Sequence, residues 1–356
     1  MTDTKSQLAS GSKLLHWRIA QYLLLVASVV LVALLFLKPT IGLNIFWNVV
    51  IPTAPALIVI APGVWRNICP MATLNLMPQR MGISKQGSLS RHMKARLGFL
   101  SLIALFIIVP YRHLSLDTNG ERSALMLIAA GLIAFAMGIA FKWRSGWCTT
   151  LCPIHPVERL YGISPAKTFK NSRCSHCVRC TSPCPDSTKS MTPAITGPSP
   201  LATMSGHLLI GSFAGFIWGW NQLPDFSGTI TVTHYLHVYL WPLDSALISL
   251  AVYMFLYQWV VLTKEGRRTL IKVFATIAVS TYYWFRIPAL AGFGPHPGSG
   301  MLYDLTRVLP SWIEHLSHII TTAFFTWFIL LRKNKKISWL IRPPVVTTRK
   351  KRVRHC

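Results

Sequence analysis

The stretch IAQYLLLVASVVLVALLFL, residues 19–37, carries no charged side chain and a single amide, Gln21. At ~1.5 Å of rise per residue it covers close to the ~30 Å of a bilayer's hydrocarbon core, so it reads as a membrane-crossing helix. Comparable runs recur at 43–62, 95–111, 123–141, 201–220, 236–262, 270–290 and 313–331. The expected fold is therefore an all-α polytopic membrane protein with about eight transmembrane helices. The second run contains Pro52, Pro55 and Pro62, which membrane helices tolerate where neighbours satisfy the freed carbonyls. Composition agrees, because a chain of 356 residues that is 52 % hydrophobic and 13 % charged is too apolar for an ordinary soluble domain.

The formal charge of +26 could suggest a nucleic-acid binder, but the placement of the basic residues gives another explanation. Of the 36 Lys and Arg, 31 fall before the first run, after the second, fourth and sixth, and in the tail. The intervening connections hold Lys38, Arg112, Arg122 and Arg307, with Arg286 near the end of the seventh run. That alternation follows the positive-inside rule and predicts a multi-pass protein of a bacterial inner membrane, both termini cytoplasmic, with lipid and not nucleic acid as its surroundings. The first apolar run lacks an obvious cleavage site and reads as an uncleaved span. Four regions follow: a four-helix membrane region over 1–141, a cytoplasmic loop over 142–200, a second four-helix membrane region over 201–331, and a basic tail over 332–356. The tail would be drawn to an anionic leaflet by roughly 1 kcal/mol per basic residue.

Chemistry concentrates in the loop. Residues 174–185 read CSHCVRCTSPCP, a C-x2-C-x2-C-x3-C-P spacing that is the ligand signature of a bacterial-type 4Fe-4S site. Three evenly spaced cysteines can wrap one cubane, while the fourth, followed by proline, is turned toward another. Zinc sites usually pair two separated C-x2-C knuckles, and disulfides do not suit a reducing compartment. Upstream, Cys148 and Cys152 form a Cys-x3-Cys-Pro, and Cys69 with Pro70 forms half of a second copy after the second run. Each Cys-Pro is expected to open a helix whose first turn faces an anionic cluster.

The thiolate set is Cys69, Cys148, Cys152, Cys174, Cys177, Cys180 and Cys184, one short of the eight that two cubanes need. One 4Fe-4S cluster is expected from Cys174, Cys177 and Cys180 with Cys152 or Cys184. A second would use Cys69, Cys148 and the remaining thiolate, completed by His155, Asp186 or solvent. The loop around them is rich in Pro, Ser, Thr and Lys and reads as irregular structure organised by metal.

Trp147-Cys148 to Cys152-Pro153, followed by the run from Cys174 to Pro185, resembles the membrane-bound 4Fe-4S ferredoxin-type proteins of the NapH/NosR/CcoG kind. The resemblance covers about residues 45–190. It implies membrane electron transfer between a cytoplasmic 4Fe-4S site and quinone or quinol, or an outer redox partner, as in a quinol dehydrogenase-like subunit of a respiratory complex. The alternative it implies is a copper-reducing or respiratory-enzyme assembly factor. This chain differs in having one ferredoxin-type run and four further apolar runs after it.

The other end of the predicted bundle carries His234, His237, His315 and His318, with Glu314 adjacent and His113 and His296 in nearby connections. Residues three apart share a helix face, so these pairs suit a b-type haem, a copper or other metal site, a quinol pocket, or simple interfacial anchoring. Asp244 and Arg286 lie within spans and are expected to form an ion pair or a proton relay. His207 stands alone and reads as a packing residue. Hydrolytic chemistry is not indicated, since phosphate-binding glycine loops, nucleophile elbows and dinucleotide fingerprints are missing.

Overall fold

The structure is a computed structural model that describes residues 7–8, 11–141, 146–173, 199–226, 228, 230–296, 299–333, 339–341 and 345–346. It is helical almost throughout; strand pairing among the described residues amounts to two ladders of two residues each and an isolated bridge between Gly87 and Phe141. Helix α1 is Gly11–Leu37. The second span runs from α2 (Pro39–Leu43) through a π-helical turn, Asn44–Val50, into α3 (Ile51–Ile60). Two short helices follow, α4 (Pro62–Ile68) and α5 (Pro70–Arg80). The chain returns through α6 (Arg91–Tyr111), with a π-helical turn at Arg112–Leu116, and α7 (Gly120–Ala140). A π-helical turn at Trp147–Leu151 leads to α8 (Ile154–Tyr161). The remaining helices are α9 (Pro200–Trp220), α10 (Val232–Phe255), α11 (Lys264–Leu290) and α12 (Trp312–Phe325).

Among the described residues seven helical segments are long and apolar enough to cross a membrane: Leu15–Leu37, Pro39–Ile60, Arg91–Leu116, Gly120–Ala140, Pro200–Trp220, Val232–Val260 and Trp312–Leu331. The eighth run expected from sequence, 270–290, lies in α11, which is equally long but less apolar. Its apolar side is turned inward, with Leu270, Phe274, Ala278 and Tyr282 among its buried residues, while Lys264, Glu265, Arg267 and Arg268 crowd its first turns. Side-chain oxygens of Ser90, Asn119, Ser199 and Thr263 cap the first turns of α6, α7, α9 and α11.

The main core is built where α3, α6, α9, α11 and α12 meet, around Ile58, Leu105, Phe213, Phe216, Ala275 and Phe325. Helix α9 approaches α10 along Gly211, Gly215 and Gly219, a spacing of four that brings two backbones together in lipid. A Cβ at Gly215 would strike the Ser245 carbonyl of α10. In the second span Pro52 and Pro55 are accommodated by Tyr283. Its hydroxyl donates to the Pro52 carbonyl at 2.6 Å and accepts from the Ala56 amide at 2.8 Å, bridging an opened helical rung from a neighbouring helix.

Candidate metal centre

Both Cys-Pro steps do open helices: Cys69 precedes α5 with Pro70 in its first turn, and Cys152-Pro153 precedes α8. The two steps arrive at the same place. Buried Cys148 packs in a small apolar cluster with Ala72, Ala134 and Trp147, and Cys69 and Cys152 pack against that cluster. Cys69 and Cys152 are free thiols. Burial pushes the thiols of Cys69 and Cys152 up from their ordinary value, Cys152 strongly, so metal binding there must displace protons. Cys174, Cys177, Cys180 and Cys184, with Asp186, lie outside the described residues.

Buried cations surround the thiols. Arg173, with no solvent exposure, donates through Nη2 to the carbonyls of Asn67 at 3.0 Å and Cys69 at 3.1 Å and to Thr73 Oγ1 at 3.2 Å. Its Nε and Nη1 have no partner among the described residues, and neither does the buried indole N–H of Trp147. Burial lowers the Arg173 guanidinium to about 10, against the pull of Cys69 and Cys148 in the other direction. Arg66 forms a salt bridge with Glu158 at 2.6 Å, donates to His155 Nδ1 at 2.8 Å, and reaches the Cys148 carbonyl at 3.4 Å. Trp65 donates its indole N–H to the same carboxylate.

Burial acts to raise the Glu158 carboxyl, but the neighbouring Arg66 charge outweighs it and holds the group below its usual range. Burial takes the His155 imidazole down to about 4, and its Nδ1 is committed to Arg66. Arg159, lowered to about 10 by burial and then by Arg66, adds another cation to this end. Against these arginines the described residues set one carboxylate, Glu158.

Asn67 fastens the segment that leads into the cysteine run. Its Oδ1 accepts from the Ser172 amide at 3.1 Å and hydroxyl at 2.9 Å, and its Nδ2 donates to the Lys170 carbonyl at 3.0 Å. Gln21, buried on α1, donates to the Asn67 carbonyl and to Ser172 Oγ, both at 2.9 Å. The segment just after the eighth apolar run also docks here. Trp339 is buried, donates to the Gly162 carbonyl at 2.6 Å, and lies beneath Arg66 at 5.6 Å.

At the opposite end the histidines separate. His234 Nδ1 accepts from the Thr231 amide at 3.1 Å and its ring meets Phe226, while His237 stacks on Trp241; both face a groove shared with Asp244. His318 Nε2 donates to the Trp284 carbonyl at 2.9 Å, and the His315 ring packs against His318. Asp244 is exposed, whereas buried Arg286 donates to the Trp47 carbonyl at 2.7 Å and to Asn48 Oδ1, so the two are not joined. His207 packs against Tyr253 and Tyr257, in keeping with a structural role.

Among the described residues, the group of His, Cys and acidic side chains with ligand atoms within 4.8 Å of one another is His113, Asp117 and Asp225. Both nitrogens of His113 are occupied: Nδ1 lies 2.6 Å from Asp225 Oδ1, and Nε2 lies 3.0 Å from the Trp220 carbonyl, to which it must donate. Arg112 Nε donates to both oxygens of Asp117 at 2.6 Å and sits between the rings of Trp47 and Trp220. Imidazole lone pairs and carboxylate oxygens so engaged make a poor metal cage. Sequence reading missed Arg66, Asn67, Glu158, Arg173, Asp117 and Asp225. The available signal was scarcity, because a chain with 10 Asp and Glu that buries three of them beside cations gives each one weight.

No family model, curated protein or solved structure matches the chain.

Proposed function

We propose that the protein is a membrane-embedded iron–sulfur electron carrier, its cluster held at the end of the bundle that gathers Cys69, Cys148 and Cys152. The supporting observation is the position of Arg173. This residue immediately precedes Cys174 in the sequence, is fully buried, and bonds the backbone at Cys69 beside the pocket of Cys69, Cys148 and Cys152. The donor chemistry fits the group: several thiols, the buried guanidinium of Arg173, and N–H donors on Arg173 and Trp147 without partners among the described residues. An anionic cluster beside Arg173 would satisfy those donors and offset the cost of burying the guanidinium. When bound, a 4Fe-4S cluster supplies one-electron transfer at a potential set by its thiolates, nearby hydrogen bonds and solvent exposure.

The chain's own residues then have definite tasks. Arg173 holds the entry of the cysteine run against α4 and α5, and Asn67 and Gln21 fix the residues before it. Trp147 and the surrounding alanines keep water from Cys148, and the Arg66–Glu158 pair ties α4 to α8, whose preceding residues carry Cys152. By resemblance the electron partner is quinone or a redox protein of an inner-membrane respiratory complex, with the cluster end cytoplasmic. Anaerobic purification with iron and sulfide quantitation tests the reading. About four irons per chain, or about eight if two clusters form, are expected, with loss in Cys180→Ser and Cys148→Ser. Stoichiometric zinc, or no metal in well-folded protein, would overturn it.

A further inference from the structure

The end of the bundle remote from the thiols holds a second chemical site, built from a small cavity of about 40 Å³ lined by Arg112, His113, Asp117, Asp225, Arg286 and Gly300, with other residues. This volume suits a water molecule and excludes a haem or a quinone. Carboxylate oxygens of Asp117 and Asp225 lie within 4.8 Å of each other, and both residues line the cavity. Two carboxylates that close repel when both are ionised, which favours a proton on one of the two. The cavity also meets unpartnered donors: Arg286 Nε and Trp220 Nε1 have no partner among the described residues, although the two side chains are only 5 % and 4 % exposed. Gly300, at φ 71°, lets the loop close over Arg286, where a Cβ would run into the guanidinium. Waters in the cavity would meet those donors.

We propose that Asp117 and Asp225 are a proton-loading site, a carboxylic acid–carboxylate pair that takes up and releases one proton through the water of this cavity. In uptake, a hydronium O–H bond breaks, an O–H bond forms on the pair, and neutral water remains; release is the reverse, and no electron moves. Asp225, with 16 % of its side chain exposed against 9 % for Asp117, is the member nearer the outside.

The groups facing the pair divide its roles. Arg112 grips Asp117, His113 grips Asp225, Tyr282 and Arg286 come from α11, and His296 lines the cavity from the following loop. Burial raises the Asp117 carboxyl to about 6 despite Arg112, with Asp225 adding to the rise. Asp225 is driven up by burial and down more strongly by the His113 hydrogen bond and charge, ending at about 2. The proton therefore resides on Asp117 and leaves as pH rises through about 6. A metal at the same residues is the competing occupant, and it would have to displace both His113 hydrogen bonds.

The site goes beyond the electron-transfer reading, and its test reads no iron. Infrared spectra of the purified full chain, unlabelled and with carboxyl-¹³C aspartate, are collected from pH 4 to 8. A deuterium-sensitive carboxylic C=O band that shifts with the label and bleaches around pH 6 is expected. It should vanish in Asp117→Asn and persist in Asp244→Asn. Absence of any protonated aspartate band in the labelled wild-type protein at pH 4.5 to 5.5 would overturn the proposal, without dependence on a variant folding. A stoichiometric metal lost in His113→Gln would overturn it as well.

Discussion

Glu158→Gln should destabilise the protein by about 3–5 kcal/mol, because it strips the partner from a buried guanidinium and leaves the cation in place. Arg66 and Glu158 approach to 2.6 Å with side chains 5 % and 7 % exposed, so neither charge is well hydrated in the fold. Taking charge centres ~4 Å apart and an effective dielectric of ~20, their mutual attraction is about 4 kcal/mol. Glutamine keeps one acceptor oxygen, for the Trp65 indole or for Arg66 but not in both places, so it recovers part of the hydrogen bonding and none of the charge. Desolvation offsets much of what the pair contributes, so replacing both partners should cost far less than replacing one. Arg66→Met combined with Glu158→Leu is therefore expected to lie closer to the wild type than Glu158→Gln does.

The assay is reversible unfolding in mixed micelles with rising denaturing detergent, for wild type, both single variants and the double, which yields the coupling energy as a cycle. Two results would refute the reasoning. Glu158→Gln within about 1 kcal/mol of wild type would mean that water reaches the pair, since exposed ion pairs contribute that little. A double variant as damaged as the sum of the singles would mean that the pair acts through packing and not charge.

Tyr283→Phe should cost about 1–3 kcal/mol in the same assay, because the Pro52 carbonyl and Ala56 amide lose their shared bridge in a region without competing water. Gly215→Leu should disrupt the α9–α10 contact by about 1–3 kcal/mol or more, while Gly98→Leu, where a Cβ meets nothing within 4 Å, should be near neutral. Asp117 makes stability pH-dependent: its folded value of about 6 lies above the ordinary 3.8, so its contribution is complete below about pH 4 and fades as pH rises through 6. His155, taken down to about 4 by burial, acts oppositely over the same window, so the check is the stability of wild type relative to Asp117→Asn, which should fall by about 3 kcal/mol between pH 4 and 6.

The spans were legible because lipid imposes a one-dimensional rule: a helix must be apolar for ~30 Å wherever it faces hydrocarbon. Helix α11 shows where the rule stops. It is shielded by α9 and α12, so it can carry Tyr282, Tyr283 and Arg286, and its hydropathy falls although its length does not. The helix openings at Cys69-Pro70 and Cys152-Pro153 were legible for a local reason, the fixed φ of proline. That Cys69, Cys148 and Cys152 would share one apolar cluster was expected only by chemistry, and their neighbours Arg66, Glu158 and Arg173 were not, because these meet across α4, α8 and the segment after it. The histidine pairs show how far local spacing reaches. It puts His234 with His237 in one groove and His315 beside His318, but not the distribution of the pairs, since His318 bonds Trp284 of α11.

Both ends of the bundle follow one electrostatic logic. The chain has 36 basic and 10 acidic side chains, so acids cannot be placed casually inside it. Glu158 sits between Arg66 and His155, Asp117 against Arg112, and Asp225 against His113, each where cations would otherwise be buried alone. At the thiol end Glu158 is the carboxylate that the described residues bring to Arg66, and Arg173 retains donors that find no partner among the described residues. A surplus of buried positive charge is stable only with an anion beside it, and deprotonated cysteines around iron would provide that anion. At the other end Asp117 and Asp225 lie within 4.8 Å of each other beside Arg112 and Arg286, and it is their mutual repulsion, not a lack of cations, that would favour the proton proposed there. The two proposals thus draw on buried charge in opposite ways, an anion beside unmet guanidinium donors at one end and a proton between neighbouring acids at the other.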